Sequence, residues 1–335
     1  MQGRIARMLV LLLTAWVLPY PAAAQAQSQA QNQAQPQPWP ARPVRMVVPF
    51  GAGSTPDIVA RVVADQLQRR LGQPFVVENK PGASGNLGTD AVAKAEPDGY
   101  TIGISIGGPL AINKFLFGKL PYDPDSDFAY VTLLATQPNV LAANSSLGVG
   151  SVAELVALLR ANPGKFNYGS IGNGSLSHLA MEAIARASGS PMVHIPYASS
   201  PQAMTALLRG DVQVVCLPAL GVVQHAANPA TRILAVTTAL RSDLVPGVPT
   251  LKENGIDVEA DAWNGVIAPA STPPAIVTKL HDEIAAVLAL PEVREKLLTQ
   301  VMAPIPSTGA QFRARVDADI ARWAPVIRAA NIKVN

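Results

Sequence analysis

Short runs of apolar and β-branched residues alternate along most of this chain with segments whose apolar positions recur at helical spacing. In the first half, the runs VRMVVPF, FVVEN and YTIGISI are each followed by such a segment, and we predict helices at 57–71, 86–94 and 109–117. This alternation is typical of a parallel sheet with helices on both faces.

The same pattern begins again after FAYVTLLATQPNVLAAN. Four strand-like runs, FNYGSI, MVHIPY, VQVVCL and RILAVTT, alternate here with predicted helices at 152–162, 177–188, 201–209 and 220–227. The sequence therefore predicts a second α/β lobe that is built like the first.

The last part of the chain contains one strand-like return, DAWNGVIAPAST, and then only helices, which we predict at 274–288, 291–301 and 309–329. Because these helices bring no full set of new strands, we expect them to pack on the first lobe, with chain crossings near 131–143 and 258–266. We therefore predict one domain formed by 42–140 plus 263–335 and a second formed by 141–262.

The N-terminus has the features of an export signal. Arg4 and Arg7 precede the apolar run 8–18 and the small residues 22–24, so we predict a signal peptide over 1–26, with an uncleaved anchor as the alternative. Residues 27–41 contain little that could be buried and are predicted to be a flexible leader. We expect a periplasmic protein without a lipid anchor, since no cysteine lies near the cleavage region.

Composition narrows the classes of function. The formal net charge is only +3 and the basic residues are scattered, which gives nucleic-acid binding little support. Cys216 is the only cysteine, so no intramolecular disulfide can form, and its apolar run VQVVCL predicts a buried strand position. The four histidines, His178, His194, His225 and His281, are interpreted as isolated from one another, and we expect no metal site.

The loop GAGSTPD after the first strand raises the question of a nucleotide cofactor. Gly51 and Gly53 have the spacing of the first two glycines of a dinucleotide-binding loop, but Pro56 occupies the third position and no P-loop lysine follows. We expect no cofactor. Thr55 and Pro56 instead indicate an N-cap and a first helical residue, with Asp57 in the first turn.

Three further loops repeat this strand, small polar loop and helix arrangement: ENKPGASGNLG, YGSIGNGSLSHLA and IPYASSPQAM. Such loops present backbone N–H groups and hydroxyls at helix N-termini, where the helix dipole favours an anion. Because ligands of open α/β sheets bind at the carboxyl ends of the strands, two facing lobes would share one cleft. The sequence thus predicts an anion site without a charged clamp. Asp57 could either cap the backbone or meet a ligand amine, and Tyr197 and Trp263 could be cleft walls or core.

A catalytic function has weaker support. Ser175 and His178 are three residues apart at a helix start, which more often gives a cap and a first-turn residue than a nucleophile and a base. No G-x-S-x-G elbow is present. We predict that the protein is not an enzyme and keep an exported Ser-His hydrolase as the alternative.

The motifs also carry a resemblance that covers almost the whole chain after the leader. PFGAGSTPDIVAR, VVENKPGASGNLGTDAVAKAEPDGYTIGI, NYGSIGNGSLSHLAMEAIA, HIPYASSPQAM and WNGVIAPASTPPAIVTKL resemble, in this order, the Bug family. This resemblance implies a periplasmic solute receptor of a tripartite tricarboxylate transporter, with a two-lobed type II Venus-flytrap fold and a mixed sheet in each lobe. It implies closure over a small organic acid that is passed to a membrane permease. A role as ligand sensor for a kinase is a further alternative, and a monomer is expected.

The resemblance further implies that loop amides, hydroxyls and ordered waters hold the ligand carboxylates. Positions that match the family's pocket are carried over as ligand-binding candidates, together with Trp263 at the return crossing: Ser54, Thr55, Asp57, Ala83, Ser84, Ser170, Ser175, His178, Tyr197 and Ser200. The chain departs from the family pattern at Gly53-Ser54 and Ser199, where glycines are usual, and at Cys216-Leu217, where Phe-Asp is usual. These departures leave the particular carboxylate open.

Overall fold

The computed structural model describes residues 39–334, so the predicted signal peptide and most of the predicted leader lie outside the described residues. The strands are β1 Val44–Val48, β2 Phe75–Asn79, β3 Thr101–Ile106, β4 Phe128–Gln137, β5 Asn139–Asn144, β6 Asn167–Ser170, β7 Val193–Pro196, β8 Val214–Pro218, β9 Thr231–Val236, β10 Ala262–Pro269 and β11 Ala303–Pro304. The helices are α1 Thr55–Leu71, α2 Asn86–Ala93, α3 Asn113–Leu116, α4 Val152–Ala161, α5 Leu176–Ser188, α6 Ser200–Arg209, α7 Ala219–Val223, α8 Pro274–Ala289, α9 Pro291–Leu298 and α10 Gly309–Ala329.

The strands form two sheets. The first has the order β11-β4-β10-β3-β1-β2 and the second the order β7-β6-β8-β5-β9. In the first sheet β1 is parallel to β2 and β3, whereas β10 is antiparallel to β3 and β4. In the second, β6 is parallel to β7 and β8, whereas β5 is antiparallel to β8 and β9. Both sheets are therefore mixed, as the family resemblance implies.

The purely parallel sheet that alternation alone predicts is wrong at the chain crossings. A single residue, Pro138, separates β4 of the first sheet from β5 of the second. The chain returns after β9 and re-enters the first sheet as β10. The strands next to these crossings, β5 and β10, run against their neighbours because no crossover helix reverses the chain there.

Local signals set most helix boundaries. Helix α1 contains Pro56 in its first turn and ends at Gly72, which has the left-handed φ of 70° that favours glycine. The N-cap is Ser54 rather than the predicted Thr55, and its side chain makes no capping hydrogen bond. Two other predictions differ in detail: α7 ends at Val223, four residues before the predicted end, and a π-helical turn over Gly108–Ile112 precedes α3.

The second sheet is buried on both faces. Alternate residues of β5 enter different core clusters, with Leu141 on one side and Val140 on the other. In β8 the thiol of Cys216 shares the cluster of Leu141 and is fully buried, which raises its pKa to about 12. The predicted buried strand position of Cys216 is confirmed.

Within residues 39–334, each helix is too short or too polar to span a lipid bilayer.

Candidate ligand-binding site

The loop between β1 and α1 is braced by Asp57. Its Oδ2 accepts the Gly53 N–H at 2.8 Å and the Arg61 Nε–H at 3.1 Å, and its Oδ1 accepts the Asn79 Nδ2–H at 2.8 Å. Asn79 also donates to the Phe50 carbonyl at 2.9 Å. Burial would raise the pKa of Asp57, but the hydrogen bonds from Arg61, Gly53 and Asn79 outweigh it and lower the pKa. Both carboxylate oxygens of Asp57 therefore accept hydrogen bonds that hold the loop in place.

Ser54 is the last residue of this loop, and Thr55 is the first residue of α1. The Ser54 Oγ is buried and has no hydrogen-bond partner, and α1 begins without a side-chain cap. Because the first N–H groups of a helix have no acceptor inside the helix, this start retains unsatisfied donors. The Thr55 Oγ1 lies 3.4 Å from the Gln137 Nε2 at the end of β4.

The loop before α2 has an unusual backbone. Gly82, Ala83, Ser84 and Gly85 all have positive φ, at 138°, 47°, 55° and 90°. Ala83 and Ser84 pay a steric cost for this conformation, which is typical of functional loops. Both are exposed, and Asn113 holds the loop by donating to the Ser84 carbonyl at 3.1 Å.

These two loops of the first sheet are neighbours. A Cβ added to Gly85 would lie 2.9 Å from the side chains of both Phe50 and Pro109. Gly85 therefore packs directly on Phe50, near the beginning of the loop after β1, and on the turn after β3. The structure brings Ser54, Thr55, Asp57, Ala83 and Ser84 to one end of the first sheet.

The loop between β6 and α5 forms a second group. Ser175 is the N-cap of α5, and its Oγ accepts the His178 N–H and donates to the Gly172 carbonyl at 2.7 Å. The Ser170 Oγ lies 2.6 Å from the His194 Nε2 and accepts the Gly172 N–H at 3.2 Å. The His178 Nδ1 accepts the Gly174 N–H at 3.0 Å. Ser170, Ser175 and His178 thus fix one turn of backbone.

The interpretation of the histidines as isolated is wrong for two of them. The rings of His178 and His194 stack with centroids 3.8 Å apart, and Tyr168 stacks on His194 at 4.9 Å. His194 lies on β7 beside Tyr168 of β6, so the contact depends on strand register, which sequence spacing does not reveal. The four histidines include no metal-type cluster within residues 39–334.

The loop between β7 and α6 lies next to this turn. The Tyr197 N–H donates to the Ser170 carbonyl at 2.9 Å, and the Tyr197 ring packs near Gly169. The Ser199 Oγ caps α6 by accepting the Gln202 N–H, and Ser200 packs on Gly221 of α7. Tyr197 and Ser200 are therefore grouped with Ser170, Ser175 and His178 at one end of the second sheet.

The Gln137–Pro138 crossing contacts one helix start on each side. Gln137 reaches Thr55 at the start of α1, and the carbonyl of Pro138 accepts the N–H of Ala219 at the start of α7 at 3.0 Å. In addition, Leu116 of α3 packs against Gly174, where an added Cβ would overlap its side chain. The starts of α1 and α7 therefore lie on either side of the Gln137–Pro138 crossing.

Trp263, on β10, packs against helix α10. Its ring is 2% exposed, and its indole Nε1–H donates to the Asp319 Oδ2 at 2.7 Å. The ring also packs edge-on against Phe312 of α10. In this conformation Trp263 is a core residue, which is one of the two roles that the sequence left open.

Ser175 and His178 do not form the nucleophile and base of the hydrolase alternative. The His178 Nδ1 is occupied by the Gly174 N–H, and the contact between Ser175 and His178 runs through the His178 backbone N–H. A general base would need its ring nitrogen on the hydroxyl.

A separate surface cavity of about 540 Å³ lies where the C-terminal ends of α5 and α10 meet, lined by residues such as Glu182, Arg186, Met192 and Val326. It includes none of the loop residues described above. The helix starts, rather than this cavity, carry the features of an anion site.

Several residues that shape the loops were not predicted from the sequence. Asn79, Asn113, Gln137 and His194 each bond to a loop or helix start from a different element. Asn79 is the last residue of a predicted strand, where polar side chains of an α/β sheet often face the ligand edge. The position of Asn79 at the end of a strand is the one feature of the sequence that could have identified it as a residue of the site.

Comparison with known proteins gives consistent matches. A family model described as "Tripartite tricarboxylate transporter family receptor" matches residues 59–332. Protein BugT of Bordetella pertussis is 37% identical over 298 residues, which are 88% of this chain and 91% of BugT.

Solved structures match over similar lengths. The structure of R. palustris Rpa4515 with adipate has a TM-score of 0.79 at 36% identity and covers 88% of this chain and 99% of that one. MatC (Rpa3494) from Rhodopseudomonas palustris with bound malate has a TM-score of 0.74 at 31% identity and covers 86% of this chain and 100% of that one.

Proposed function

This chain belongs to the tripartite tricarboxylate transporter receptor family, whose members bind solutes and are not enzymes, and we propose that it captures a small organic carboxylate between its two sheets. The solved relatives with adipate and malate support a carboxylate as the ligand class. The hydrolase alternative has no support among these relatives. We further propose that the receptor acts in the periplasm and delivers its ligand to the membrane permease of a tripartite transporter.

The observation that carries the proposal is the uncapped start of α1. The buried Ser54 Oγ has no partner, and the N–H groups behind it have no capping acceptor. A buried hydroxyl without a partner costs free energy, typically about 1–3 kcal/mol, unless something fills the position. A ligand carboxylate would accept from these donors and would be favoured by the helix dipole.

We propose that the two groups of helix starts form the walls of one cleft. The first wall would use Ser54, Thr55, Ala83 and Ser84, and the second would use the loops at Ser170–Ser175 and Tyr197–Ser200. Asp57 would brace the first wall instead of meeting a ligand amine, since protein donors occupy both of its oxygens. This assignment favours a carboxylic acid without an amino group.

We also propose that the sheets correspond to two domains, near the predicted 42–140 plus 263–335 and 141–262 but with the crossings at Pro138 and just before Ala262, which close around the ligand by a hinge at the crossings. The crossing at Pro138 supports this division because β4 ends and β5 begins on either side of one residue. Closure of two rigid units about short connections is a common response of binding proteins to ligand.

The test is a thermal-shift and calorimetric titration of the purified protein with malonate to suberate, malate and citrate. A ligand that binds only the native state adds about 2.7 kcal/mol of stability at a hundred times its Kd, so a true ligand raises Tm by several degrees. A panel in which no acid raises Tm or releases heat contradicts the proposal.

A matched pair of variants then tests the role of Ser54. We expect Ser54→Ala to weaken binding of the tightest acid by about three- to tenfold, as loss of one hydrogen bond does. Ser146→Ala removes an equivalent hydroxyl from an exposed turn and leaves binding unchanged. Equal affinities for the two variants would show that Ser54 does not contact the ligand.

A further inference from the structure

We propose that His178 and His194 are positioning residues of the carboxylate site: as stacked, neutral imidazoles they hold in place the two loops of the second sheet that face the ligand. This inference rests on the proposed function. Neither ring is required to touch the ligand. Each acts through a backbone or hydroxyl partner in the loops around Ser170–Ser175 and Tyr197–Ser200.

His178 acts through Gly174. The Gly174 N–H donates to the His178 Nδ1 at 3.0 Å, so the neutral ring must carry its proton on Nε2. Gly174 has a φ of 71° and lies against the Leu116 side chain, which leaves no space for a side chain at this position. The ring therefore fixes the turn that presents the start of α5.

His194 acts through Ser170, which is a junction of the two loops. The Ser170 Oγ accepts the Gly172 N–H at 3.2 Å, and the Ser170 carbonyl accepts the Tyr197 N–H at 2.9 Å. The His194 Nε2 lies 2.6 Å from the same Oγ and sets the side-chain rotamer of Ser170. Displacement of this ring would remove a contact that holds the Ser170 side chain against the Gly172 turn.

The surroundings of the pair keep both rings in place. The His178 and His194 centroids are 3.8 Å apart, and the Tyr168 ring lies 4.9 Å from His194 and 6.2 Å from His178. The Tyr168 hydroxyl donates to the Glu182 Oε1 at 2.6 Å, and the same oxygen lies 4.0 Å from the His178 Nε2. Tyr168 and Glu182 are the other titratable groups that face the pair, and burial lowers the pKa of both histidines to about 4.

The test exploits the different ring nitrogens that the two histidines use. An asparagine amide occupies the position of Nδ1, whereas a glutamine amide reaches the position of Nε2. His178→Asn and His194→Gln therefore keep the required polar atom, while His178→Gln and His194→Asn misplace it. The same two replacements are made at both sites, so the general effect of exchanging a ring for an amide is matched.

Affinity for the acid that the wild-type protein binds most tightly in the panel is measured by calorimetry, with folding checked by circular dichroism. We expect His178→Asn and His194→Gln to bind within about threefold of wild type, and the two opposite variants to bind about tenfold more weakly. Four folded variants in which asparagine and glutamine rank in the same order at both positions, or bind equally, would overturn the proposal.

A second measurement needs no variant and no ligand. Long-range ¹⁵N–¹H spectra of the imidazoles at pH 7 should show His178 with its proton on Nε2. A proton on Nδ1 would overturn the positioning role of His178, whether or not the variants fold. A wild-type protein that binds no acid but shows the expected tautomer would contradict the proposed function and leave the histidine arrangement established, so the two failures are distinguishable.

Discussion

The His178 and His194 rings lie almost parallel, with an angle of 12° between their planes and 3.8 Å between their centroids. One ring comes from helix α5 and the other from strand β7, so the contact ties the helix to the edge of the second sheet. Two rings at this distance cannot both be charged imidazolium ions without strong repulsion. Burial lowers the pKa of His194 to about 4, and burial together with the charge of His194 lowers the pKa of His178 to about 4.

Acid should therefore destabilise the protein through this pair. Between the ordinary histidine pKa of about 6.5 and the native value of about 4, the unfolded chain binds protons that the native state does not. The contribution of the neutral pair to the free energy of unfolding is fully present above pH 6.5. It falls as the pH decreases, by up to about 1.4 kcal/mol per pH unit for each histidine. Urea unfolding between pH 7 and pH 4.5 measures the slope.

The controls for this slope are two single variants. His194→Gln should flatten the pH dependence, since one titrating ring is gone and the other loses its charged neighbour. His281 lies on α8 beside Asp282 and outside the pair, so His281→Gln should leave the slope as in wild type. A slope that His194→Gln does not change would mean that other groups cause the acid sensitivity.

Asp57 should be important for stability before any ligand is considered. Asp57→Asn replaces an acceptor oxygen by a donor in front of Gly53 and Arg61, and we expect a loss of about 1–3 kcal/mol in the free energy of unfolding. Asp65→Asn breaks the exposed ion pair with Arg69 on the same helix and should cost less than about 0.5 kcal/mol. Equal losses in urea titrations would argue against a brace at Asp57.

Gly85 should not tolerate a side chain. Its φ is 90°, and an added Cβ would lie 2.9 Å from Phe50 and Pro109, so Gly85→Ala combines backbone strain with overpacking. We expect a loss of about 2–4 kcal/mol. Gly72→Ala is the matched control: it has a left-handed φ of 70° but no atom within 4 Å, and should cost about 1–2 kcal/mol.

The thiol of Cys216 should be inert in the native protein. It is fully buried, and burial raises its pKa to about 12, so almost no thiolate forms at pH 8. A disulfide reagent such as DTNB should react with less than one-tenth of the protein in buffer and with one thiol per chain in 6 M urea. Rapid reaction in buffer would indicate that β8 opens locally.

Local chemistry made much of this fold predictable from sequence. Pro56 and Gly72 delimit α1 within two residues of the prediction, and the apolar run VQVVCL forms the buried strand β8. The direction of β5 and β10 was not predictable from alternation, because it depends on where the chain crosses between sheets. Only the family resemblance predicted that both sheets are mixed.

The candidate site was predictable only in part. The small polar loops were visible as sequence motifs, and the structure places Ser54, Ser84 and Ser175 next to helix starts and Ser170 at the end of β6. The contact of His194 with Ser170 was not visible, because it joins residues 24 positions apart through the register of β6 and β7. Likewise, the burial of Trp263 follows from its bond to Asp319, 56 residues later.

The connection at Pro138 limits how the length of this chain can change. All six residues of β5 are buried, and Val140 and Leu141 face different core clusters. Because side chains alternate with a period of two, one inserted residue before β5 would exchange the two faces along the whole strand. We expect related chains to vary in length at exposed segments such as 117–121 and to keep a single residue between β4 and β5, whatever that residue is.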